Sequence, residues 1–267
     1  MIYLSKPSSF NIKLDNNSHS LILEEGIRYD DVLEGTLDYV RPCLLNPDLD
    51  VPIHLYRVYQ NLHNEADKSL GDKVEYDLLL MPPNVTGVEY VKTHGHKTPE
   101  IPGKDLTYPV IIEILYGAGT FILQKFNNNF DPFVAVEPEI SEVYMLKAQK
   151  GTKVIIPPNF YYTLINTRGT YLVTGRLHHC WDMASERLKL EEKQGTCYYV
   201  IRKNARQEIV KNPNYKNTPR LMKIKHNQIN KIVGFRSSKP LSTLIRKNPE
   251  KFKFLTNPSK FDWIIES

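Results

Sequence analysis

The chain has 267 residues and a formal net charge of +5, with 41% hydrophobic and 24% charged residues. That balance excludes a disordered chain and leaves room for one large β domain or two ordinary ones. The longest apolar runs, such as Leu78–Met81 and Val110–Ile112, fall far short of the roughly 20 residues that cross a bilayer, so no membrane partner is expected. The first ten residues lack the basic and apolar regions of a signal peptide. Cys43, Cys180 and Cys197 are scattered, with no C-x-x-C spacing, which points to a reducing, cytoplasmic location.

In chain order, Phe10–Leu14 and Ser20–Glu24 read as short strands. Arg28–Val40 places Val32, Leu33, Leu37 and Val40 at helical spacing, with Asp30 or Asp31 as a first-turn acid, so a helix is expected there. Ile53–Tyr59 is a strand candidate. From Tyr76 the pattern becomes a series of short runs rich in Val, Ile, Leu and Tyr. These are Tyr76–Met81, Gly87–Thr93, Tyr108–Leu115, Thr120–Phe126, Phe133–Val136, Glu142–Gln149, Lys153–Pro157, Tyr162–Asn166 and Tyr171–Leu177. Pro-Asn, Gly-Ala-Gly, Lys-Gly and Arg-Gly turns separate them, the signature of an antiparallel sandwich or barrel. Cys197–Arg202 and Gln207–Lys211 add two strands, and Ser242–Arg246 and Pro249–Leu255 two short helices. The expected organisation is an extension over 1–75, a barrel core over 76–201 and a basic extension over 202–267.

The charge is unevenly spread. Between Arg202 and Lys253 there are fifteen Lys and Arg against Glu208 and Glu250, a net +13, so the remainder is net −8. No aromatic platform is interleaved with these charges. A solvated extension packed on an acidic barrel is therefore expected, and nucleic acid is not an expected partner.

Two segments carry chemistry. One is Lys92-Thr93-His94-Gly95-His96-Lys97-Thr98. The other runs from Gly151 to Asn166 and sets Gly151, Pro157 and Asn166 on the G-x5-P-x-G-x2-H-x3-N spacing of the second cupin motif. Asn159 replaces its second glycine and Tyr162 its histidine; Asn is well suited to a positive φ. With Gly87-x-Glu89, Gly117-x-Gly119 and Leu123-Gln124, the sequence resembles the cupin-type glucose-6-phosphate isomerases over most of residues 25–220. The resemblance implies a mainly β, cupin jelly-roll barrel with short terminal helices, a homodimer, and aldose–ketose isomerisation of a sugar phosphate beside a divalent metal.

Carried across residue by residue, the family's ligand positions become His96, Thr98, Val110 and Tyr162. One imidazole remains of three His and one Glu, so no metal is expected at the family site and metal-dependent turnover is expected to be weak or lost. A shifted site from His94, His96 and His178, for Fe, Mn, Ni or Zn, is the alternative. Thr93 and Gly95 stand where the family contacts phosphate, and His96, Tyr162, Arg176 and His178 complete the candidate substrate contacts. Glu113 is the candidate base, although its place three residues beyond Val110 predicts the opposite strand face. A non-catalytic cupin that binds a sugar phosphate or another anion, or a structural homodimer, is the rival function.

Overall fold

The computed structural model describes residues 1–50, 54–65, 73–127, 139–180 and 185–265. Two antiparallel sheets face one another. The larger contains six strands, β1 (Asp31–Thr36), β2 (His54–Gln60), β3 (Val74–Met81), β4 (Val110–Tyr116), β7 (Lys153–Ile156) and β9 (Leu172–His179), in the order β7-β4-β9-β3-β2-β1. The smaller contains β5 (Ala118–Phe126), β6 (Ile140–Gln149), β8 (Tyr161–Ile165) and β12 (Met222–Lys223), in the order β8-β5-β6-β12, with only β12 joining in parallel. A hairpin of β10 (Tyr198–Lys203) and β11 (Arg206–Lys211) lies beside them.

The chain switches between sheets at its turn residues. Gly117 has φ +76° between β4 and β5, and a Cβ there would lie 2.2 Å from the Tyr171 carbonyl oxygen. Gly151 has φ +84° between β6 and β7. Asn159 has φ +66° between β7 and β8, so the asparagine does supply the positive φ that the motif assigns to glycine. This alternation of sheets is the jelly-roll path of a cupin.

Most strands fall within a residue or two of their expected places. The Phe133–Val136 candidate and Ile53 lie outside the described residues. Two expectations fail: Gly87–Thr93 forms only the two-residue strand Glu89–Tyr90, because Gly87 at φ +65° sits in a turn, and Arg28–Val40 is not a helix. The centre of Arg28–Val40 is β1, the edge strand of the larger sheet, and only Leu37–Val40 turns helically, capped by the Thr36 side chain. Pairing with β2 overrides local spacing here, and the Glu34–Arg57 contact at 2.7 Å joins the two strands.

The larger sheet is covered on both faces. Its inner face looks toward the smaller sheet. On its outer face Tyr76 packs against Phe10, with ring centroids 5.4 Å apart. The C-terminal helices α2 (Leu241–Lys247) and α3 (Lys253–Thr256) pack there too, and Leu241, Leu244, Ile245, Phe254 and Leu255 join the main apolar cluster. A third helix, α1 (Leu188–Glu192), precedes β10. No helix among the described residues is long and apolar enough to cross a membrane.

Candidate functional site

Between the sheets, open to one end, is a cavity of about 440 Å³. Alternation along the strands aims Glu75, Asp77 and Leu79 of β3, Ile112 of β4, and Thr174, Arg176 and His178 of β9 into it. The loop Thr93–His96 closes one side, Tyr162 and Leu164 of β8 another, and Tyr39, Ser185 and Arg187 stand nearby. All six sequence-derived substrate candidates, Thr93, Gly95, His96, Tyr162, Arg176 and His178, line this one space. Gly95 has φ +86°, and a Cβ there would press within 2.5 Å of Thr163 Oγ1. That backbone break turns the loop back along β8. The Thr93 hydroxyl accepts from the Leu164 amide at 3.1 Å, which leaves its own O–H as a donor.

Asp77 organises the charges. Arg176 donates to its Oδ2, His178 Nε2 lies 3.1 Å from the same oxygen, and the Asn61 amide donates to Oδ1 at 3.0 Å. Burial alone would raise the Asp77 pKa, but the facing charges of His178 and Arg176 outweigh it and hold the carboxyl well below its usual range. Arg176 also donates to the Tyr162 hydroxyl at 3.2 Å. Arg187 donates to the Tyr39 hydroxyl, and among the described residues no carboxylate pairs with it.

The two histidines of the loop diverge. His96 packs at a tilt against Tyr162, ring centroids 4.7 Å apart, and among the described residues its buried Nε2 has no hydrogen-bond partner. Burial holds its pKa well below the ordinary histidine value, and the nearby Arg176 charge adds to this. His94 turns away to Glu191, 3.0 Å from Nε2, with the Cys43 sulfur 3.8 Å from the ring. Cys43 is buried, which pushes its thiol up to about 12, so it is no nucleophile.

The family metal set does not fit a divalent ion here. Thr98 Oγ1 donates to the Tyr108 carbonyl, Val110 offers no donor, and the Tyr162 hydroxyl is engaged by Arg176. The shifted set fails too. Among the described residues no three His, Cys, Asp or Glu side chains are gathered to hold a metal. His94 is committed to Glu191, and His178 to Asp77 and the His179 carbonyl.

Glu113 is corrected as candidate base. It lies on the outer face of β4, buried, 2.7 Å from Lys153, and accepts the Leu241 amide at 2.8 Å. Its chemistry is that of an internal counter-ion anchoring α2. Two other cations also prove structural: Lys92 pairs with Glu89 in the core, and Lys97 with Glu100 at 3.1 Å. Sequence reasoning missed Glu75, Asp77 and Arg187. The first two had a signal, since E-x-D at the start of β3 alternates onto the face that the Arg-x-His of β9 uses. Arg187 stands in no motif.

Fold and cavity together define a cupin. The sequence matches the family model described as glucose-6-phosphate isomerase over residues 49–219, and the chain belongs to that family. No curated protein sequence matches. Similar solved structures include the Drosophila melanogaster CENP-C cupin domain, at 13% identity and TM-score 0.28 over 45% of this chain and 65% of that one. Another is the Lactobacillus farciminis oxalate decarboxylase formate complex, at 12% identity and TM-score 0.34 over 50% of this chain and 31% of that one. A structure describing the Mn(II) centres of Bacillus subtilis oxalate decarboxylase also matches, at 12% identity and TM-score 0.34 over 51% of this chain and 29% of that one. This chain thus spans less than two thirds of each of these chains.

Proposed function

We propose that this cupin keeps its family's sugar-phosphate cavity but has lost, or nearly lost, metal-dependent glucose-6-phosphate isomerisation. The observation that supports this most directly is the pairing of a retained anion-facing half with a dismantled donor set. Thr93, Gly95, Arg176 and Arg187 line the same cavity in which His96 stands as the single family ligand. An Arg that pairs with no carboxylate among the described residues, facing a partly dehydrated cavity, suits a phosphate dianion through paired N–H donors. The hydroxyl and amide of the Thr93–Gly95 turn add neutral donors.

The reading includes a cytoplasmic homodimer in which the basic segment serves packing and not nucleic-acid binding. Cysteines without disulfides suit the former. The test is calorimetric titration of glucose 6-phosphate into protein held in a chelator. The expected outcome is saturable binding near one per chain, weakened about tenfold or more by Arg187→Ala, a loss of roughly 1.4 kcal/mol or more for one charge-assisted contact. Binding that requires added metal, or that ignores Arg187, contradicts the proposal.

A further inference from the structure

Glu75 lines the cavity and is half-buried, yet among the described residues it has no hydrogen-bond or ion-pair partner. Its place in the sheet is specific. Across the adjacent strands β4, β9 and β3, Val110 stands opposite His178, and His178 opposite Glu75. These three form one transverse row, so their side chains share the inner face. The next row is Ile112, Arg176 and Asp77. The row that holds valine where the family resemblance calls for a carboxylate therefore ends in a carboxylate two strands away, roughly 10 Å along the hydrogen-bonding direction.

The other acids near the cavity are less suited to proton transfer. Asp77 is held by Arg176, His178 and the Asn61 amide, and Asp30, exposed at the cavity rim, accepts from the Asn61 side chain at 2.7 Å. Glu113 faces the opposite side of its strand and is bound to Lys153. Glu191 is taken by His94. We propose that Glu75 is the base of a metal-independent enolisation of a phosphorylated aldose or ketose bound in this cavity, a role that rests on the sugar-phosphate reading above.

The step balances without an oxidant. In the open-chain aldose the Glu75 carboxylate takes the proton from C2. The C2–H electron pair becomes the C1–C2 double bond, and the carbonyl oxygen O1 takes up a proton, giving an enediol. The proton on O2 is then released as the C2 carbonyl forms, and C1 takes the proton back from the Glu75 carboxyl. One hydrogen has moved from C2 to C1, and one from O2 to O1. Burial holds Glu75 above the ordinary carboxylate range, with His178 and Arg176 pulling it down and Asp77 and Asp30 pushing it up. A carboxylate of raised proton affinity is the better base near neutral pH.

The test follows deuterium entering C1 and C2 of glucose 6-phosphate and its ketose product in D2O, by NMR, with the full chain in excess chelator. Calorimetry on the same samples reports binding separately. The expected result is exchange about 100-fold or more above buffer, the scale of general-base catalysis, falling to the buffer rate in Glu75→Gln. Thermal unfolding checks that this variant is folded. Glu75→Asp, which keeps the charge but withdraws it by one methylene, should exchange at an intermediate rate and carries the test if glutamine at 75 does not fold. Binding without exchange overturns the role of Glu75 and leaves the binding proposal standing. Exchange at the wild-type rate in either variant also overturns it. Failure to bind the sugar phosphate at all overturns the binding proposal, and this role with it.

Discussion

The Asp77 carboxylate shows how much one buried charge can hold in place. Arg176 and His178 converge on it, and its side chain is 4% exposed. Asp77→Asn would leave Arg176 without its counter-charge inside the barrel and His178 facing a neutral amide. A loss of about 3 kcal/mol is expected, toward the lower end for breaking a buried pair because Arg176 is partly exposed. Urea unfolding measures it, and a loss under about 1 kcal/mol would contradict the network. His96 gives a second prediction. Its folded pKa lies below the unfolded value, so the unfolded chain binds more protons beneath pH ~6.5 and stability falls as the pH drops through that window. The ceiling is about 1.4 kcal/mol per pH unit. Glu75 and Glu113, held above the ordinary range, act in the opposite direction just above pH ~4.5. The clean measurement is therefore the difference between wild type and His96→Phe from pH 7 to 5. The variant's stability should fall less steeply; parallel curves would contradict the assignment.

At the scale of elements, the sheets were legible because β4, β8 and β9 are buried along most of both faces and are rich in Val, Ile, Leu and Tyr, although Glu113 interrupts β4 and Arg176 and the two histidines interrupt β9. β1 was not legible. Asp31–Thr36 mixes Val32 and Leu33 with acids at a spacing that fits either a helix turn or an edge strand, and only its partner β2 decides. Glu113 shows the same limit at the site: strand parity placed it outward, but its tie to Lys153 and to the first amide of α2 spans 128 residues of sequence. The Thr93-x-Gly95-His96 turn and Tyr162 were found because they lie on a spacing motif. Arg187 was not found, since nothing local marks it. Packing between β3 and β9 yields a further test. A Cβ at Gly175 would sit 1.9 Å from the Tyr76 hydroxyl, which itself has no hydrogen-bond partner among the described residues. Gly175→Ala should cost about 2 kcal/mol by overpacking. Tyr76→Phe removes only an unsatisfied hydroxyl and should be neutral or stabilising. In the double variant the alanine should cost markedly less, and strict additivity in a denaturation cycle would contradict the contact.

At the scale of the molecule, the basic C-terminal segment is knitted into the fold. β12 extends the smaller sheet, while α2 and α3 cover the larger one. A chain ending at residue 240 would expose Leu241's pocket together with those of Ile245, Phe254 and Leu255, and should fail to give a cooperative thermal transition. The same packing predicts only weak duplex binding at physiological salt; submicromolar affinity falling steeply with salt would contradict it. The central claim is that the cavity survives where the metal donors do not. Metal analysis after incubation with Mn, Fe, Ni or Zn and desalting tests it most directly. The prediction is far less than one ion per chain, rising toward one in the Thr98→His, Val110→Glu, Tyr162→His triple variant. About one tightly held ion per unmodified chain, lost on His94→Ala, would contradict it and restore a metal-dependent isomerase.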